Sequence, residues 1–212
     1  MRIRQAAALA VIGLSGCAGR LTYAPPAVQP PIMSDTTIAA PYVQVWKTST
    51  QKLASGPWVI ERQDPTTGLM VLHFTGNPER YLDCGTVESD VTNPRAQLTR
   101  HYRFPGSSPH QSYEQIVYGN LYDVDRAMEV AGTINVLFKA SGARSTRAQV
   151  NAHYVVTRTV SLGNTPTGRF YAPIKDTVAF SSGSAATLPG PGRSAQCVAT
   201  GALERDVLAA IH

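Results

Sequence analysis

From Met128 to Phe138 the chain places Met128, Val130, Gly132, Ile134, Val136 and Phe138 at every second position. The run Val150, Ala152, Tyr154, Val156, Arg158 and Val160 repeats the alternation. Side chains of a strand point alternately to its two faces, so a period of two predicts strands with one buried and one solvated face. Between the runs lies Lys139 to Arg147, rich in Ser, Gly and Arg. The reading is two long antiparallel strands joined by a basic loop, with Arg144 and Arg147 solvated at its tip.

Other segments fit around this pair. Pro41 can serve as a first helical residue, and Tyr42, Val45, Trp46, Ser49 and Leu53 then share one face until Gly56 and Pro57 stop the helix. Trp58 to Glu61 and Leu69 to Phe74 are apolar and β-branched runs separated by Asp64-Pro65 and Gly68, which predicts a hairpin. Arg80 to Gly85 reads as a short strand ending in a bend, and Ala96 to Phe104 as another strand. Pro105 to Asp125 is ambiguous between strand and loop. Thr177 to Phe180 is a short strand, Ser181 to Ser194 a loop, and Gln196 to Ala199 a last strand. Thr200 is the expected N-cap of a final helix that aligns Leu203, Val207, Leu208 and Ile211. The expected class is α+β: a curved antiparallel sheet packed against an N-terminal-side helix and a C-terminal helix.

The N-terminus carries a different signal. Arg2 and Arg4 precede an uncharged apolar run from Ala6 to Leu14, and Leu14-Ser15-Gly16-Cys17 comes next. The run is too short for a permanent membrane span and has the anatomy of an export signal. It resembles the lipobox of bacterial lipoproteins. That resemblance implies cleavage after residue 16, acylation of Cys17 as the new N-terminus, and stable anchoring by its acyl chains. Ala18 is not the aspartate that retains enterobacterial lipoproteins in the inner membrane, so the resemblance implies the periplasmic face of the outer membrane. The chain then divides into a signal over 1–16, a lipidated tether over 17–40 and one periplasmic globular domain over 41–212. Pro25, Pro26, Pro30 and Pro31 interrupt the tether stretch. About 23 such residues reach roughly 75 Å when extended. They are also candidates for binding a partner.

With Cys17 assigned to lipid, Cys84 and Cys197 are the remaining cysteines of three. In an oxidising periplasm such a pair is expected to be bridged, the alternative being two buried thiols. The bridge would close a loop of over a hundred residues, worth roughly 4–5 kcal/mol in the chain-entropy model. Neither cysteine has a second Cys or His at ligand spacing, so no metal site is expected.

The formal charge is +5; without Arg2 and Arg4, 17 basic residues face 14 acidic ones and the excess is +3. So small and dispersed a surplus does not predict a nucleic-acid partner. No Gly-x-Ser-x-Gly, His-Glu-x-x-His, P-loop or dinucleotide fingerprint occurs, and the five histidines are scattered. No enzyme activity and no cofactor is expected.

The helix, then Trp58-Val59-Ile60-Glu61, a turn, and Leu69-Met70-Val71-Leu72 together resemble the start of the helix-grip domains in BamC-type outer-membrane lipoproteins. The likeness covers residues 41–75 and the terminal helix; those proteins carry two such domains, and this chain has space for one. It implies a scaffold or accessory subunit of an envelope assembly that binds other envelope proteins, for which Tyr113, Tyr118 and Tyr122 are further candidate contacts. The alternative is a lipid or small-ligand carrier that uses the concave face of the sheet.

Overall fold

A computed structural model describes residues 18–93, 97–190 and 194–212. In chain order the elements begin with β1 (Ala18–Ala24), β2 (Asp35–Ile38), α1 (Tyr42–Ala54), β3 (Val59–Asp64), β4 (Leu69–Gly76), α2 (Pro78–Tyr81) and β5 (Leu82–Asp83). The middle of the chain forms β6 (Thr86–Asn93), β7 (Leu98–Pro105), β8 (His110–Val117), β9 (Asn120–Gly142) and β10 (Ser145–Asn164). The last elements are β11 (Arg169–Phe170), β12 (Ile174–Ser181), β13 (Ala185–Leu188), β14 (Ala195–Ala199) and α3 (Ala202–Ile211).

The two alternating runs form one antiparallel ladder between β9 and β10, from Gly142 opposite Ser145 to Tyr122 opposite Asn164. The ladder is the spine of the largest sheet. Along the free edge of β9 lie β8, over residues 120–127, and then β4, over residues 130–137, with β3 outside it. Along the free edge of β10 lie β2, β12 and β11 in turn. Two three-stranded sheets, β1-β6-β7 and β13-β14-β5, complete the fold.

The 23 residues of β9 would run roughly 75 Å if straight, far beyond an ordinary strand. Gly132 is where crowding is greatest. A Cβ there would lie 1.9 Å from the carbonyl oxygen of His153 on the paired strand and 3.0 Å from the Phe74 ring. No other residue type fits this close approach.

Over the half of the ladder nearer its turn, the inward stripe is Met128, Val130, Ile134, Val136 and Phe138 with Ala148, Val150, Ala152, Tyr154 and Val156, all buried. Val45 and Leu53 of α1 and Leu203, Val207, Leu208 and Ile211 of α3 join the same core. The one carboxylate inside it, Glu204, is fully buried and accepts from the Tyr154 hydroxyl at 2.9 and 3.0 Å and from Ser182 Oγ at 2.5 Å. Burial, reinforced by the Glu204 charge, holds the Tyr154 phenol well above its ordinary pKa and keeps it a donor.

Cys84 and Cys197 form the expected disulfide, both side chains fully buried, tying the bend after β5 to β14. The expected class is corrected. Strands take 60% of the described residues and helices 14%, in three short pieces, so this is a β-rich fold rather than an α+β one. Polar segments account for much of the difference: β6, Thr-Val-Glu-Ser-Asp-Val-Thr-Asn, carries few apolar side chains, and its partner β1 lies far away in sequence.

Further corrections have local causes. The expected tether is held down: residues 18–24 pair with β6 and residues 35–38 with β10. The basic loop over 139–147 shrinks to a turn at Ala143 and Arg144, because the ladder continues through both flanks. The loop over 181–194 contains β13. The cap position of α3 is Gly201, at φ 73°; the Thr200 hydroxyl, one residue earlier, accepts from the Ala202 N–H at 3.3 Å and donates to the carbonyl of Arg80 at 2.8 Å. Cys197→Ala is expected to lower unfolding free energy by roughly 2–5 kcal/mol relative to the oxidised protein, read by denaturant titration with and without reductant.

Candidate ligand cavity

Beyond the helix-covered half, the inward stripe of the ladder continues through Val124 and Arg126 on β9 and Arg158, Val160 and Leu162 on β10. Here the face is flanked by β8 of the same sheet and opposed by β1 and β6 of the neighbouring one. They leave a cavity of about 740 Å³, within the usual size of small-ligand sites. Leu21, Val87, Ile116, Val117, Val124, Val160 and Leu162 supply apolar wall.

Two guanidiniums interrupt this wall. Arg126 is 6% exposed and Arg158 9%. In the ladder Arg126 stands opposite Val160, so Arg158, two residues away on the same face, is its diagonal neighbour, about 7–8 Å off between backbones. Arg158 pairs with Asp176 Oδ2 at 2.6 Å, the side chains being 11% and 18% exposed, and also donates to the carbonyl of Pro189. Among the described residues Arg126 has no carboxylate partner. It donates Nη2 to the carbonyl of Pro105 at 3.2 Å and lies over the Phe104 ring, 5.1 Å from its centroid. The Nε atoms of both arginines are buried without a hydrogen-bond partner.

This arrangement sets the electrostatics. Burial lowers the pKa of Arg126, Tyr113 opposes the shift and the Arg158 charge adds to it. A guanidinium nevertheless stays protonated at neutral pH, so a positive charge is held in the cavity wall. Tyr113, whose ring lies 4.9 Å from Phe104, has its pKa raised by burial and drawn down by both arginines. The side chains there supply many N–H and O–H donors and one carboxylate.

At the rim the exposed large side chains are Leu21 at 40%, Tyr118 at 98% and Ile174 at 49%. Phe170, 84% exposed, and Tyr171, 6.1 Å from Tyr122, extend this apolar end. The chain enters nearby: a Cβ on Gly19 would come within 2.5 Å of Ile116, two residues before Tyr118. A smaller hollow of about 330 Å³ shares Tyr113, Val124 and Leu162 but is bordered by Glu114, Asp123 and Asp125, which disfavour anions.

Of the residues that stand out in the sequence, Tyr113 lines the cavity, Tyr118 stands at its rim and Tyr122 packs beside it. Pro25, Pro26, Pro30 and Pro31 lie in the strap between β1 and β2, where Gln29 donates to Asp83 at 3.0 Å and Ile32 packs on the core. Cys84 and Cys197 are not among the residues lining the cavity, and Cys17 lies outside the described residues. Sequence reasoning gives neither arginine a role, although each is in phase with an apolar stripe; a charged residue at a buried position of a strand period is the available signal. No family model, curated protein or solved structure matches this chain.

The two arginines should respond oppositely to truncation. Arg158→Met strands a largely buried Asp176 and should cost roughly 3–5 kcal/mol, whereas Arg126→Met removes a buried charge with no carboxylate partner and should leave stability unchanged or raise it by about 1–4 kcal/mol. Denaturant titration of the two variants beside the parent protein measures the difference.

Proposed function

We propose that this chain is an outer-membrane lipoprotein of the periplasmic face whose domain carries a lipid or other small apolar ligand. The observation that carries this reading is the cavity of about 740 Å³ with apolar walls and two buried guanidiniums. It differs from the carrier geometry expected of a helix-grip domain. The helix-covered half of the sheet is filled by side chains such as Tyr154, Phe138 and Leu53, and the open space lies between the other half and β1.

The position of the rim supports membrane attachment. Cys17, the residue that the lipobox resemblance assigns to acylation, is bonded to Ala18, and β1 starts there. One Cα step of about 3.8 Å separates the acylated residue from the folded domain. The exposed Leu21, Tyr118, Phe170 and Ile174 are therefore at the end nearest the bilayer, where aromatic and apolar side chains are favourable. On this reading a ligand passes between membrane and cavity without crossing bulk water.

The accessory-subunit reading draws on the reach of a flexible arm, and the strap pinned by β1 and β2 removes that support. What favours it as the second reading is the strap itself, which exposes Val28 fully and Met33 to 65% beside Pro30 and Pro31.

Full-length protein isolated gently from a bacterial host with an outer membrane should retain one small-molecule adduct in native mass spectrometry. Val160→Trp, which fills the cavity, should reduce its occupancy about tenfold, equivalent to about 1.4 kcal/mol. Adduct-free protein, or equal occupancy in V160W, would refute carriage. The N-terminal peptide should begin at a diacylglyceryl-modified Cys17, and an unmodified terminus would refute the anchor.

A further inference from the structure

We infer that the ligand of this cavity is an amphiphile with a single carboxylate, bound with its head between Arg126, Arg158 and Tyr113 and its chain along the apolar wall. This deepens the carrier reading and rests on it. The cavity wall presents two guanidiniums and only one carboxylate, Asp176, which Arg158 already engages. One positive charge is left over, on Arg126, in a place where an unpaired charge is costly.

Donor capacity leads to the same head group. A guanidinium has five N–H donors, and among the described residues Arg126 spends one of them, on the carbonyl of Pro105. Its buried Nε and that of Arg158 are both without partners. A carboxylate offers about four acceptor sites and no donor, which suits a fork of N–H groups. A neutral alcohol or ester would leave the charge uncompensated. A dianionic phosphate would exceed the single surplus charge.

The remainder of the wall selects the tail of the ligand. Leu21, Ile116, Val124, Val160 and Leu162 form hydrocarbon surface between the arginines and the open rim. An acyl chain gains affinity with each methylene buried there, and the head fixes its orientation. The chain end then points toward the exposed Tyr118 and Ile174.

The test uses the full-length protein in nanodiscs, titrated calorimetrically with decanoate, 1-decanol and inorganic phosphate, with empty nanodiscs subtracted. Decanoate should bind at least about tenfold more tightly than decanol, the range of a charge-assisted hydrogen bond. Arg126→Met, expected to fold, should abolish that preference, bringing decanoate down to no more than about twofold above decanol in the same variant. Phosphate alone should not bind measurably. Equal affinity for acid and alcohol, or a preference that survives in R126M, overturns the carboxylate inference and leaves the carrier reading standing. Phosphate binding as strong as that of decanoate marks a small-anion site and overturns the amphiphile. Binding of neither decanoate nor decanol overturns inference and carrier reading together.

Discussion

The ladder between β9 and β10 is the constraint on which the rest of the molecule depends. Every other strand of the large sheet hydrogen-bonds to one of its edges or to a strand that does. Its inward stripe supplies one wall of both the core and the cavity. Because the ladder is far longer than an ordinary strand pair, no single covering layer spans it. Helices cover one part and strands the other.

That division of the face separates a closely packed half from a half that holds buried charge. Under α1 and α3 the stripe is lined by apolar side chains and Tyr154, and Glu204, the carboxylate inside, is satisfied by the Tyr154 and Ser182 hydroxyls. Facing β1 and β6 the same stripe carries Arg126 and Arg158, and their Nε atoms have no partner. Dense packing on one half can tolerate an electrostatically incomplete arrangement on the other, the usual relation between a scaffold and a site. The Cys84–Cys197 bridge ties β14 to the bend after β5.

The strap over residues 25–34 changes the mechanical picture of the N-terminus. Proline spacing alone suggests an extended arm, because proline resists helix and favours open backbone. In the fold, β1 and β2 hold both ends of that segment, and Gln29 and Ile32 fasten its middle. On the lipoprotein reading proposed above, such a pinned segment would keep the rim of the cavity close to the anchor, which suits exchange of a poorly soluble ligand better than reach.

Several elements are legible in the residues because their signal is local. The alternation through Met128 to Val160 identifies β9 and β10, the Tyr42 to Leu53 face identifies α1, and Asp64 to Gly68 marks the hairpin turn. Cysteine count and the resemblance of residues 14–17 to a lipobox suffice to pair Cys84 with Cys197. Tertiary structure alone decided the β-rich class, since β1, β6 and β8 are polar or irregular segments, and β1 and β6 find each other across some sixty residues of chain. It also decided the site. Arg126 and Arg158 are 32 positions apart and unremarkable as residues, and only the register that makes them diagonal neighbours, roofed by distant strands, puts two cations into one apolar cavity. Periodicity reports which face a side chain shares; what closes over that face depends on long-range pairing that no local pattern encodes.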